Sequence, residues 1–154
     1  MALKVNSPLP SLEGVTRWLG ASVRDEELVG RPVLIDFWAL SCPFCLQNMP
    51  RLHEWRETYS VSGLRIVTIH RPRMKSDNDE NAICAALKKH QITDPCALDF
   101  EGVLAERFET AGIFPYYFLF DAKGTMRSRA AGSGGLRLLE NALQRSLSLP
   151  ILAV

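Results

Sequence analysis

The chain has 154 residues, of which 47% are apolar and 23% charged, and its formal net charge is +1. That length suits one domain with its own core, expected over 1–154, and so even a charge balance argues against nucleic acid as a partner. The longest apolar runs, VLIDFWAL and YYFLF, fall far short of the roughly 20 residues a membrane helix needs, so no membrane partner is expected either.

The opening stretch MALKVNSPLPSLEG has one lysine and no apolar core segment. It does not read as a secretory signal, and a cytoplasmic location is expected. The run VLIDFW at 33–38 is rich in β-branched and aromatic residues, the pattern of a strand buried on both faces. Residues 43–59 then place Cys45, Met49, Leu52, Trp55 and Tyr59 at three- and four-residue steps, which predicts a helix with one apolar face. Pro50 interrupts that helix and is expected to kink it.

LRIVTIH at 64–70 predicts a second buried strand. The polar loop RPRMKSDNDE at 71–80 ends in helix-start chemistry and leads into a helix through about His90. DPCALDF at 94–100 predicts a short strand, and GVLAERFETAG at 102–112 a helix ending at glycine. YYFLFDAKGTMRSRAAG has the form of a β-hairpin around an Asp-Ala-Lys-Gly turn. Leu136, Leu139, Leu143 and Leu147 mark a closing amphipathic helix over 135–147. The order predicts an α/β fold: a central mixed β-sheet flanked by helices on both faces.

Four cysteines in this length are too few for a disulfide-stapled secreted scaffold. The pair Cys42 and Cys45 brackets Pro43 and Phe44, just past the first strand. Such a pair can be a redox couple, two metal ligands, or a nucleophile with an incidental neighbour. Its position decides much. Functional groups gather at the carboxyl ends of parallel strands, and a helix amino terminus stabilises a thiolate there through free N–H groups and the macrodipole. Cys42 is therefore expected to be an exposed attacking thiolate, with Pro43 at the first helical position. Cys45, one turn on, is expected to be the shielded resolving thiol.

A zinc site needs a second nearby pair. Cys84 and Cys96 are twelve residues apart with no such spacing, and both are expected to pack as small apolar residues. The remaining alternatives are a Cu(I)-binding chaperone using both thiolates and His70, and a peroxiredoxin-type thiol peroxidase. The peroxidase reading is weakened by Ala39, which stands where that site needs Thr or Ser.

His70 ends the second strand and is expected to emerge, partly exposed, at the edge that carries Cys42. Arg71 and Arg73 follow it on a solvated loop, and His53 and His90 read as solvated helix residues. The Gly132-Ser133-Gly134-Gly135 run lacks the lysine of a phosphate loop and reads as a bend. Asp36 stands alone among apolar neighbours in VLIDFW, where an ionised carboxylate is strongly disfavoured. It is expected to be a buried acid with a raised pKa.

VLIDFWALSCPFCLQNMP, GIFPYYFLFDAKG and the order of elements resemble the thioredoxin-like fold. The lead-in WLG…EELVGRP and the βα insert HRPRMKSDNDENAICAALKKHQITDPCALDF, between the first βαβ unit and the hairpin, resemble its TlpA/ResA-like branch. Over nearly the whole chain, including AGSGGLRLLE, the sequence resembles the YkuV-type cytosolic thiol–disulfide oxidoreductases. The resemblance implies that Cys42 attacks, Cys45 resolves and Asp36 assists proton transfer. It makes Pro115 a cis-proline facing the disulfide, and it places Phe114, Pro115, Pro43 and Phe44 against substrate. It matches Pro50 to the kinking proline of the active-site helix.

Ser41 departs from the family pattern by replacing a tryptophan, and Pro-Phe stands between the cysteines in place of Gly-Pro. That pair looks more like the Pro-Tyr of glutaredoxins, which are less reducing than thioredoxin. The implied activity is reduction of disulfides in proteins or small thiol compounds. An electron-donor reductase or thiol would regenerate the dithiol, and no cofactor is implied.

Overall fold

The structure, a computed structural model, describes residues 3–148. Its strands are β1 (Arg17–Leu19), β2 (Val33–Trp38), β3 (Arg65–His70), β4 (Cys96–Leu98), β5 (Tyr116–Phe120) and β6 (Met126–Ala131). Its α-helices are α1 (Pro43–Tyr59), α2 (Glu80–Lys89), α3 (Val103–Arg107) and α4 (Gly135–Ser148). All six strands join one sheet in the order β1-β4-β3-β2-β5-β6. β2, β3 and β4 run parallel, while β1, β5 and β6 pair antiparallel to their neighbours.

Every residue of β2 is buried, because helices or chain cover both sheet faces. Side chains alternate along a strand. Val33, Ile35 and Phe37 therefore enter one apolar cluster, with Phe108, Phe118 and Leu12. Leu34 and Trp38 enter the other, with Met49, Leu52 and Trp55 of α1, Ile83 and Leu87 of α2, and Leu136, Leu139 and Leu143 of α4. Asp36 takes the same alternation as Leu34 and Trp38, which sends it to the α1 side. Pairing register then places Cys96, Thr68, Asp36 and Tyr117 in one row across β4, β3, β2 and β5.

α4 follows a turn at Gly132–Gly134 and starts against that row. A Cβ on Gly135 would lie 2.9 Å from Tyr117 Cδ2, so the glycine lets the helix start approach the ring. The turn agrees with the bend expected from sequence.

Two expectations of local structure need correction. The helix expected over 102–112 stops at Arg107. Glu109 adopts φ 55°, and the Thr110 and Glu109 N–H groups close onto the carbonyls of Ala105 and Glu106. That is a Schellman ending, which satisfies the last carbonyls without Gly112. The edge strand β1 was not expected. Its three residues are too few for a readable alternation, and its place comes from antiparallel pairing with β4.

Candidate functional site

Cys42 leaves the sheet just beyond β2 and is the N-cap of α1, with Pro43 in the first turn. Its Sγ accepts the Cys45 backbone N–H at 3.2 Å. A sulfur there receives one of the amide donors that a helix start leaves free, so negative charge on it is stabilised. Cys42 and Cys45 form a disulfide with Cα atoms 5.3 Å apart. The expected difference in exposure is absent: each cysteine is 2% exposed. Both sulfurs are packed with the α1-side cluster in this oxidised state. What distinguishes the two residues is helix position, cap against first turn.

The Phe114–Pro115 peptide bond is cis, in agreement with expectation. It precedes β5, whose Tyr116 pairs with Phe37, so Pro115 lies at the sheet edge where β2 delivers Cys42. Phe114 is half-buried against the cluster that holds both cysteines, while Pro43 and Phe44 are exposed.

Asp36 is buried, 2% exposed, as expected. Burial, and next repulsion from Asp94, raise its pKa to about 8. Thr68 explains the second acid's position. Its N–H and Oγ1 donate to the Pro95 carbonyl at 3.0 and 3.3 Å, which holds the Asp94–Pro95 turn beside the register partner of Asp36. Asp94 pairs with Arg56 at 3.3 Å through one oxygen, and its Oδ2 is buried without a hydrogen bond. Burial raises Asp94 to about 6 despite Arg56. In the same row, burial pushes the Cys96 thiol up to about 11. Burial and then Asp36 push the Tyr117 phenol up, against an opposing hydrogen bond from Asn48 at 2.8 Å. A protonated carboxyl thus lies beneath the helix that carries Cys45.

The loop after β3 is tied to the residue before Cys42. Ser41 Oγ donates to Asp77 Oδ2 at 2.7 Å, and the Arg73 and Met74 N–H groups donate to the same oxygen. Burial alone would raise the Asp77 pKa, but these three donors and nearby His70 hold it below the usual carboxylate range. Arg73 Nη1 donates to the Ser41 carbonyl at 3.1 Å.

His70 is corrected from partly exposed to fully buried. Trp38 meets its ring edge-on at 4.7 Å, and its Nε2 accepts the Leu40 N–H at 3.2 Å. Burial lowers its pKa to about 4, so it is a neutral support for the loop that delivers Cys42. His53 is also more than a solvated side chain, since its Nδ1 lies 3.0 Å from the Gln91 carbonyl.

Among the described residues, no three His, Cys, Asp or Glu side chains gather to hold a metal ion. Cys96 is buried as expected, but Cys84 is exposed. The buried stripe of α2 runs through Ile83 and Leu87, and the next residue after Ile83 turns away from it. Sequence reasoning missed Asp77 and Asp94, which lie in polar loops that look solvated until the fold closes over them.

Residues 5–129 match the model of the AhpC/TSA family. Thiol-disulfide oxidoreductase YkuV of Bacillus subtilis (strain 168) is 36% identical over 147 residues, covering 95% of this chain and 98% of that protein. Thiol-disulfide oxidoreductase ResA of Bacillus cereus is 27% identical over 131 residues, covering 85% of this chain and 72% of that protein. The solution structure of a thioredoxin-like protein in the oxidized form superposes with TM-score 0.86 at 36% identity, covering 95% of this chain and 98% of that one. The fold, the disulfide at the start of α1 and these relationships agree: the chain belongs to the AhpC/TSA family of thioredoxin-fold proteins, among the YkuV-like thiol–disulfide oxidoreductases.

Proposed function

We propose that this oxidoreductase works as a reductant, passing two electrons from the Cys42–Cys45 dithiol to disulfides of proteins or small thiol compounds. The observation that carries this reading is Cys42 Sγ at the N-cap of α1, accepting the Cys45 N–H within reach of disulfide formation. The Cys42 thiolate attacks a substrate sulfur, and one substrate thiolate leaves. Cys45 then attacks Cys42 Sγ in the mixed disulfide, releasing the second substrate thiol and closing the protein disulfide. The Cys45 proton passes to Asp36 when that carboxyl is ionised, a fraction that grows as pH nears about 8, and otherwise to solvent. An external dithiol or reductase restores the reduced pair.

Phe114, Pro115, Pro43 and Phe44 form the substrate-facing rim in this reading. A peroxidase at Cys42 is disfavoured because Ala39, fully buried, offers no hydroxyl three residues before it. A Cu(I) site is disfavoured because the His70 Nε2 is already taken by the Leu40 N–H. The reading includes a cytoplasmic location, supported by the free, exposed thiol of Cys84, which persists where thiols are kept reduced.

The test is single turnover of the pre-reduced Cys84→Ala variant, which lacks the exposed third thiol, with an excess of a model disulfide. Loss of two protein thiols per chain with release of two substrate thiols is expected, and Cys45→Ser should stop at a trapped mixed disulfide. Failure of the reduced protein to consume any disulfide overturns the reading.

A further inference from the structure

A cavity of about 520 Å³ opens between the loop after β3 and the turn after α3, a size that suits a small molecule, and Arg73 on its wall reaches the Ser41 carbonyl. Arg71, Arg73, Glu101, Glu106 and Phe114 line it. Two cations and two anions thus share one cavity with the residue that precedes Pro115.

The guanidiniums are positioned by neutral groups. Arg71 Nη1 donates to the Phe100 carbonyl at 3.2 Å. Its side chain also lies across Gly102, where an added Cβ would fall 2.9 Å from Arg71 Nε. Arg73 hangs on the Ser41 carbonyl, one residue before Cys42. Among the described residues, neither arginine forms an ion pair with a carboxylate, and neither Glu101 nor Glu106 forms one with a cation. Each guanidinium has five N–H donors, so most are free for a ligand.

A purely anionic ligand would meet two glutamates, and a purely cationic one two arginines. A group carrying both charges on adjacent atoms satisfies the four side chains together. We propose that this cavity binds the α-amino-acid head group of a small disulfide such as cystine, with the carboxylate on Arg71 and Arg73 and the ammonium on Glu101 and Glu106.

The proposal rests on the reading of Cys42 and Cys45 as a reducing dithiol, and it names a substrate class for it. Cys42 thiolate attacks one sulfur of cystine, the cystine S–S bond breaks, and one cysteine leaves as its thiolate. Cys45 then attacks Cys42 Sγ and releases the second cysteine. Two electrons and two protons leave the protein dithiol and appear as the two cysteine thiols.

The test compares four disulfides in single turnovers of pre-reduced protein. Cystine carries both charges, cystamine only the ammonium, dithiodipropionate only the carboxylate, and hydroxyethyl disulfide neither. Each rate is divided by that of dithiothreitol with the same disulfide, which removes intrinsic reactivity. Cystine is expected to exceed hydroxyethyl disulfide by about tenfold, the scale of a charge-assisted hydrogen bond. Arg73→Gln should remove the advantage of cystine and dithiodipropionate, and Glu106→Gln that of cystine and cystamine. Equal normalised rates for all four overturn the proposal while leaving the dithiol reading intact. So does an Arg73→Gln loss as large with hydroxyethyl disulfide as with cystine. If none of the four is reduced, the dithiol reading fails and takes the proposal with it.

Discussion

Ser41 Oγ donates a 2.7 Å hydrogen bond to Asp77 Oδ2, which ties the residue before Cys42 to the loop that carries Arg73. The Asp77 carboxylate is buried and its pKa is depressed by these donors. A depressed pKa means the folded state favours the anion. Its stabilisation is present above the unfolded aspartate value of ~3.9 and is lost as pH falls through the folded value. Asp77→Asn should cost about 1–2 kcal/mol at neutral pH, and the cost should shrink in acid. Urea unfolding of both proteins across pH checks this; a cost that does not change with pH would show that the charge is irrelevant.

Asp36 has the opposite sign. Its pKa is raised to about 8 by burial and then by Asp94. The protonated form's advantage is complete below the unfolded value and is lost as pH rises through about 8. Asp36→Asn should therefore gain stability relative to the parent in mildly alkaline solution, on the order of 2 kcal/mol or more. It should also slow resolution of the mixed disulfide as pH approaches and passes about 8, where the parent Asp36 is ionised and can accept the Cys45 proton and Asn cannot. Stopped-flow reduction of a model disulfide from about pH 6 to about pH 9 separates the two effects. Superimposable pH–rate curves for the two proteins would end the proton-transfer assignment.

After reduction, Cys42 should alkylate before Cys45. Equal burial in the disulfide state leaves the amide donor at the cap as the source of the difference, since it favours the Cys42 thiolate. Brief labelling at neutral pH, followed by peptide mapping, tests it. Earlier labelling of Cys45 would reverse the two roles.

Cys84 should react with thiol reagents in the native protein, whereas Cys96 should react only on unfolding. Cys84 is exposed and Cys96 is buried with its pKa raised to about 11. The Cys84→Ala/Cys96→Ala double variant should keep disulfide reduction within about twofold of the parent, since neither thiol lies in the redox pair. A large loss in the folded variant would reveal a second redox partner.

The register of hydrophobic and chemical residues along the chain was enough to place the central strand, the active-site helix, the hairpin and the Cys42–Cys45 pair. Each depends on local periodicity or on a short spacing: VLIDFW has no polar face apart from Asp36, and Pro43 with Cys42 marks a helix start. Even the burial of Asp36 follows from its neighbours. Tertiary structure alone decided what surrounds those residues. β1 exists because β4 offers it an edge, and α3 ends at Arg107 because the turn at Glu109 closes its carbonyls. Asp94 reaches Asp36 through Thr68 and Pro95, and Asp77 reaches Ser41 across 36 positions of chain. Such contacts join segments distant in sequence, and desolvation of a loop carboxylate appears only when the other segment covers it. The chain's local pattern names the paired sulfurs; long-range packing sets the charges around them.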